Sequence, residues 1–438
     1  MQEVESDSVS PDGAAVRDCQ AGRRHEPRRF VSLAFAVLFA VSARGEVDEA
    51  KSPPTGSLLV LSALADAETD LAELLNLRRD QGWQVTVRRA QGSSASLIAA
   101  IVAEEQKRNA ALSHVLLVGS DSSLPMAREP DSLLQRGEGG SFVLTDDIYG
   151  LPDAKGVPCL AVGRLPTDDH AALQWLAGKI VRYEQNVEHL APEIFVLTGR
   201  EPASTEPVVG AISQQTLADG ISEAFVEEVR LRLPRLQLRV RTAFPGPNHY
   251  AFVQGPEVLR VGLSRRPMMA AYYGHASRGR LATFHDPRHV ASIDRADVRD
   301  FEIPTVCGPF VSGGCSMLDP QGKGPAIGEQ LLMLSGGPVA LVGFTGVNDD
   351  FYVAQFIETW VGELSGARRT TLGEMVRTTK HRLVREPQSP RSILIQTLSQ
   401  AAGRMPRDPK QVDYPAVVRK NNAMLALLGD PTTTVVIP

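Results

Sequence analysis

A chain of 438 residues that is 43% hydrophobic and 22% charged has the material for two or three domains, or for one large α/β unit with insertions. Its formal net charge is only −5, and no basic cluster is interleaved with aromatics, which argues against a dedicated nucleic-acid binder. Aromatic residues make up 5% of the chain, too few for a sugar-stacking platform or a propeller.

The first 29 residues are polar and carry Arg23, Arg24, Arg28 and Arg29. Residues 30–43, FVSLAFAVLFAVSA, carry no charge. That stretch is short for a bilayer core of ~30 Å. Val41 and Ala43 form a small-residue pair ahead of a polar segment, so 1–43 reads as a secretory signal with a long leader, cleaved after Ala43. The competing reading is an uncleaved anchor helix. No later segment is a run of apolar residues long enough to span, so the mature chain is expected to be exported and free of membrane spans. Four cysteines are present, Cys19, Cys159, Cys307 and Cys315, and removing the leader leaves three. An odd number outside the cytosol leaves at least one thiol unpaired.

Residues 44–56 read as a linker, with KSPPTG at its end. SLLVLSA is a short apolar run, as expected for a strand buried on both faces. A helix follows from Asp66 to Asp80, with Gly82 just past it. WQVTVR is a strand, Ser94–Asn109 a helix, and HVLLVGS another buried strand. This order predicts right-handed crossovers and a mostly parallel sheet. PCLAVGRLPTDD includes a strand, inside which Cys159 reads as a core residue. Asp168 is placed to cap an amphipathic helix running to about Glu188. APE (191–193) marks a subdomain joint, after which the pattern restarts: IFVLTG, helical Gln214–Arg232, LQLRVR, a helix, MMAAYYGH, PFVSGGC, a helix at GEQLLML, PVALVGF, helices across 350–402 and the closing MLALLGDPTTTVVIP. The domain division is therefore 57–190 and 191–438. No solenoid repeat interrupts it.

His275 and Cys315 share a context. Each ends a buried apolar strand and enters a glycine-containing loop. In open parallel sheets the functional crevice lies at the carboxyl ends of strands. An imidazole beside a thiol can take its proton and later protonate a leaving amine, which suffices for acyl transfer. The backbone N–H groups of Ala276 and Cys315 are candidates for an oxyanion site, and Gly313 and Gly314 would let the backbone approach a substrate. The plainer readings are an inert buried cysteine and a structural histidine at a strand end. A Cys307–Cys315 bridge is disfavoured, because an extended strand separates the two by ~26 Å. His275, His285 and His289 offer a metal alternative, but HDPRH lacks the H-E-x-x-H glutamate and Pro287 opposes a helix. VLLVGSDSS has one glycine and no phosphate-loop lysine, so it is not a nucleotide site.

YYGHASRG followed by PFVSGGCS resembles the histidine and cysteine motifs of gingipain-type cysteine peptidases, peptidase family C25 of the caspase-like clan CD. The flanks VLLVGSDSSLP, TDDIYG, LAVGRLP, KIVRYE, GEQLLMLSGGPVALVGFTG and LLGDPTTTVV extend the resemblance from about residue 57 to 438. It implies a caspase-like α/β fold, a mostly parallel sheet flanked by helices in two subdomains. It implies a secreted bacterial cysteine endopeptidase that hydrolyses peptide bonds through Cys315 and His275 and a thioester acyl-enzyme. Glu201 is the candidate for the acid that orients the histidine. No cofactor is implied for the chemistry, and structural calcium and oligomeric state are left open; the expected partner is a protein or peptide substrate. Two departures stand out. The family usually has glycine where this chain has Ala276, and an alanine there would cost on the order of 1 kcal/mol if the position requires φ > 0. Only Glu206 is acidic across 205–215, where some members carry the acid that selects arginine. With residues 44–56 too short for a folded prodomain, the chain reads as a bare catalytic unit. The alternative is a catalytically inactive caspase-like protein that binds or scaffolds.

Overall fold

The computed structural model describes residues 56–90, 94–130, 142–199, 225–242, 255–286, 289–366, 368–401 and 413–437. In chain order the strands of the main sheet are β1 (Ser57–Ser62), β2 (Gln84–Arg89) and β3 (Leu112–Val118). A small hairpin, β4 (Ala127–Pro130) and β5 (Phe142–Thr145), precedes β6 (Ala161–Leu165), β7 (Ala191–Thr198), β8 (Gln237–Thr242) and β9 (Pro267–Tyr273). Beyond them come a three-stranded sheet of β10 (Ala276–Ser277), β11 (Arg280–Asp286) and β12 (His289–Asp294), then β13 (Val306–Cys307) and β14 (Phe310–Ser312). β15 (Gly337–Pro338), β16 (Leu341–Phe344), β17 (Arg369–Thr371), β18 (Leu425–Leu428) and β19 (Thr434–Val436) complete the set. The helices are α1 (Ala67–Asp70), α2 (Ala72–Asp80), α3 (Ala95–Arg108), α4 (His170–Glu184), α5 (Gly255–Ser264), α6 (Arg295–Arg299), α7 (Ile327–Leu332), α8 (Asp350–Gly366), α9 (Leu372–Arg385), α10 (Pro390–Ala401) and α11 (Tyr414–Met424). Residues 225–232 are also helical.

One ten-stranded sheet runs β2-β1-β3-β6-β18-β16-β14-β9-β7-β8. Every neighbouring pair is parallel except β16 with β18. The expectation of a mostly parallel α/β sheet holds. Strand polarity reverses at β16/β18, so the strands on either side of that boundary have their carboxyl ends at opposite edges of the sheet. The strands alternate as double-sided burial requires. Leu58 and Val60 of β1 enter one apolar cluster with Leu116 and Val118 of β3, while Leu59 and Leu61 enter a second with Val115 and Leu117. Burying each such side chain contributes about 1.5–3 kcal/mol.

Local signals explain several element ends. Ser94 caps α3 through Leu97 N–H, and Gly82 adopts φ of +89° after α2. Three expectations change. The helix expected from Asp66 to Asp80 breaks at Leu71 into α1 and α2. The cap of α4 is Asp169, not Asp168; the Asp168 carboxylate instead accepts from Ser120 N–H at 3.0 Å and from the Ser120 and Ser123 hydroxyls. Cys159 is exposed in the loop before β6 rather than buried within it.

The closing GDPTT stretch is tied to the first helices. Fully buried Arg78 of α2 donates through Nε (2.9 Å) and Nη2 (2.7 Å) to Asp430 Oδ2, and through Nη1 to Glu184 Oε1 at 2.9 Å. Thr432 N–H and Oγ1 occupy Asp430 Oδ1 at 2.9 and 2.7 Å, and Thr434 N–H reaches Glu184 Oε1 at 2.8 Å. A buried guanidinium is tolerable only with such complete pairing.

Candidate active site

β9 and β14 are hydrogen-bonded neighbours, in register Phe310↔Ala270, Val311↔Ala271 and Ser312↔Tyr272. His275 follows Tyr272 by three residues and Cys315 follows Ser312 by three. The two candidate residues therefore leave the sheet at the same level, side by side, at the carboxyl edge. β9 is buried along its whole length, and its apolar run ends because the backbone must turn sharply. Gly274 has φ of +147°, and a Cβ there would meet Gly199 O at 2.8 Å. Only glycine fits.

The histidine turn is held by its backbone. His275 C=O accepts from Ala282 N–H at 2.9 Å, and the buried Tyr272 hydroxyl sits 2.6 Å from His275 O and 2.7 Å from Ala282 O, a shared donation. Ala276 pairs with Leu281 in the β10–β11 hairpin. Because Ala282 already bonds to His275, alternation along the antiparallel ladder makes Ala276/Leu281 a pair without hydrogen bonds. The Ala276 N–H thus points away from β11. Ala276 is not among the described non-glycine residues with positive φ, so its departure from glycine carries no backbone strain.

The cysteine turn packs against the histidine turn. A Cβ on Gly313 would lie 2.7 Å from the Tyr273 ring, and one on Gly314 would lie 2.6 Å from the Ala276 methyl. These glycines bring the two turns together. Gly313 N–H donates to Tyr272 O (3.0 Å), Gly314 N–H to Ser312 Oγ (3.0 Å) and Ser316 N–H to Gly346 O (2.9 Å). Ser316 holds φ of +53°, a left-handed conformation that a non-glycine residue keeps only where its surroundings enforce it.

Cys315 is half-buried, and its Sγ donates to Asn348 Oδ1 at 3.3 Å. Burial raises the thiol pKa above its ordinary value, and Asp350 and Asp349 add to the shift, while the Asn348 backbone N–H and Lys420 oppose it. Asn348 lies in the loop after β16, the strand on the other side of β14. Arg278, at the tip of the histidine hairpin, donates to the carbonyls of Asp319 (3.0 Å), Lys323 (3.1 Å) and Gly324 in the loop that follows Cys315. Arg295 reaches Lys323 O and Pro325 O in the same loop, each at 3.0 Å.

Glu201 and Glu206 lie outside the described residues. In the β11–β12 ladder His285 is opposite Val290 and His289 is opposite Asp286, so the two histidines are not partners in the register; their side chains lie outside the described residues, among which no metal-binding cluster occurs. Cys307 is buried beside Lys179, which is buried as well: burial pushes the thiol up to about 12 and draws the lysine down to about 7. Cys307 and Cys315 are both free. Asn348, Tyr272 and Arg278 escaped the sequence reading, although GFTGVN has the same form as the other two motifs, an apolar strand ending in a glycine-containing loop.

The sequence profile of peptidase family C25 matches residues 52–436. The chain belongs to this family, the gingipain-type cysteine peptidases, and is a cysteine-type peptidase, a hydrolase. Among solved structures it is similar to the complex of Porphyromonas gingivalis RgpB pro- and mature domains, with a TM-score of 0.62, 15% identity and coverage of 87% of this chain and 81% of that one. A second, described only as a protease, gives a TM-score of 0.55, 12% identity and coverage of 87% and 78%. No curated protein matches the chain.

Proposed function

We propose that the chain is an exported endopeptidase in which Cys315 is the nucleophile and His275 the general base and acid. The observation that carries this reading is the β9–β14 register, which brings both residues off one sheet edge at one level. In the proposed reaction His275 takes the thiol proton, and Cys315 Sγ bonds to the carbonyl carbon of the scissile peptide. The oxyanion is received by the N–H groups of Ala276, which faces away from its hairpin partner, and of Cys315, whose neighbouring amides are already committed. The C–N bond then breaks, the amine leaves with the proton from His275, and a thioester remains. Water attacks it, giving its proton to His275, and the acid and free thiol are released. Side chains and water suffice for this chemistry. Glu201 follows the end of β7, beside β9, and is proposed to orient His275.

Export is proposed from the leader reading, and none of the described helices is long and apolar enough to cross a membrane. The substrate is a protein or peptide, and the segments 57–190 and 191–438 are proposed as the two subdomains. The test is hydrolysis of a diverse peptide library by the wild type, Cys315→Ala and His275→Ala. Both variants should keep the wild-type circular dichroism spectrum and lose cleavage at internal bonds. Undiminished cleavage in either removes that residue from the mechanism. Absence of cleavage by the wild type, with Cys315 unreactive, favours the silent binding protein. Repeating the assay with a chelator decides the calcium requirement.

A further inference from the structure

The Asn348 side chain is oriented by two contacts. Its Nδ2 donates to Gly313 O at 3.0 Å. A carbonyl oxygen can only accept, so the amide group must face Gly313 and the Oδ1 must face Cys315. The sulfur lies 3.3 Å from that oxygen, in the geometry of an S–H donor. A thiol gains from this acceptor; a thiolate would meet the oxygen lone pairs instead. The charged neighbours of the sulfur point the same way. Asp349 and Asp350, at the start of α8, disfavour the anion, and Lys420 of α11 only partly offsets them. Asp349 is itself fixed, accepting from Asn421 Nδ2 at 2.8 Å. Buried Tyr272 of β9 also faces the sulfur, and His275 enters from the turn after that strand. Against all of these, the Asn348 main-chain N–H favours the thiolate.

We propose that Asn348 is a positioning residue that holds Cys315 as a neutral, hydrogen-bonded thiol in the free enzyme, so that His275 removes the proton only when substrate is bound. This deepens the catalytic reading above and rests on it. The resting state is then not a preformed thiolate–imidazolium pair. Attack requires the S–H to swing from Asn348 Oδ1 toward the imidazole before the proton moves. A neutral thiol is also the form least prone to oxidation, which suits an enzyme working outside the cytosol. The link from Gly313 through Asn348 to Cys315 places this control in the loop after β16, opposite the histidine turn.

The experiment is the pH dependence of iodoacetamide alkylation at Cys315, followed by peptide mass mapping so that Cys159 and Cys307 do not contribute. Alkylation does not require turnover, so its result is separate from whether the enzyme cleaves peptides. In the wild type the alkylation midpoint should lie above the ordinary thiol value of ~8.5. Asn348→Ala removes the acceptor oxygen and keeps the main-chain N–H; its midpoint should fall by about one unit, with about tenfold faster alkylation at pH 7.5. Asn348→Asp places a carboxylate near the sulfur, and its midpoint should rise above that of the wild type. Shifts of opposite sign support the proposal. An unmoved midpoint in Asn348→Ala overturns it. So does convergence of both variants on ~8.5, since simple loosening of the site would do that to each.

Discussion

Gly314 and Ala276 are in such close apposition that a Cβ on the glycine would fall 2.6 Å from the alanine methyl. The contact joins the turn that carries Cys315 to the turn that carries His275, and it has consequences in both directions. Gly314→Ala must force the turns apart. Overpacking of this kind costs about 1–3 kcal/mol, and cleavage of a reporter peptide should fall by at least tenfold while urea unfolding registers the destabilisation.

Ala276→Gly should do little. The position sits in β10 without positive φ, so glycine relieves no strain. The expected outcome is kcat/KM within about twofold of the wild type, measured on the same reporter. A large gain would mean that the alanine does distort the oxyanion site.

Arg278 spans the two functional loops. Its fork reaches several carbonyls of the 319–324 loop at once, a geometry that a lysine ammonium cannot reproduce. Arg278→Ala and Arg278→Lys should both lower kcat/KM, with Lys recovering only a small part. Limited proteolysis near Gln321 and Lys323 should accelerate in both, and full recovery by lysine would show that charge alone matters.

His114 links pH to stability. The buried ring lies 2.9 Å from Ser113 Oγ and 3.0 Å from Thr371 Oγ1, and burial lowers its pKa from 6.5 to about 4. Above pH ~6.5 the ring is neutral folded or unfolded, and its contribution is intact. As pH falls from there toward about 4, the unfolded chain takes up a proton that the folded chain refuses, so stability is lost, on the order of 3 kcal/mol in total. Urea unfolding at several pH values should show a shallower acid slope in His114→Gln than in the wild type. Parallel slopes would assign the acid sensitivity elsewhere.

Arg78 holds two buried carboxylates, Asp430 and Glu184, whose side chains are 0% and 1% exposed. Arg78→Ala would strand both, and removal of one partner from such a pair costs about 3–5 kcal/mol. Thermal unfolding should show a lower Tm than for the exposed Arg79→Ala, which should be near neutral.

Much of this was legible in the sequence because strands buried on both faces are written as unbroken apolar runs. SLLVLS, HVLLVG and MMAAYYG could be read without knowing their neighbours. The positions of His275 and Cys315 at strand ends followed from the same signal. Other features are decided by tertiary contacts. Cys159 sits in an apolar-looking stretch, yet the Pro152–Pro158 bridge belongs to a loop that delays the strand to Ala161 and leaves the thiol exposed. Asp168 and Asp169 are indistinguishable as caps until Ser120 and Ser123 claim the first. The reversal of polarity at β16/β18 depends on pairing between segments more than 80 residues apart, which no local pattern encodes. Asn348 matters only because β16 lies beside β14.

In the proposed mechanism Cys315, acting with His275, forms the covalent bond to substrate. Labelling of the folded protein with a peptidyl acyloxymethyl ketone, read by intact mass and peptide mapping, tests this. A single adduct on Cys315, none on the exposed Cys159 and none in His275→Ala is the predicted result. An adduct on Cys159, or labelling of Cys315 at the wild-type rate in His275→Ala, would contradict it.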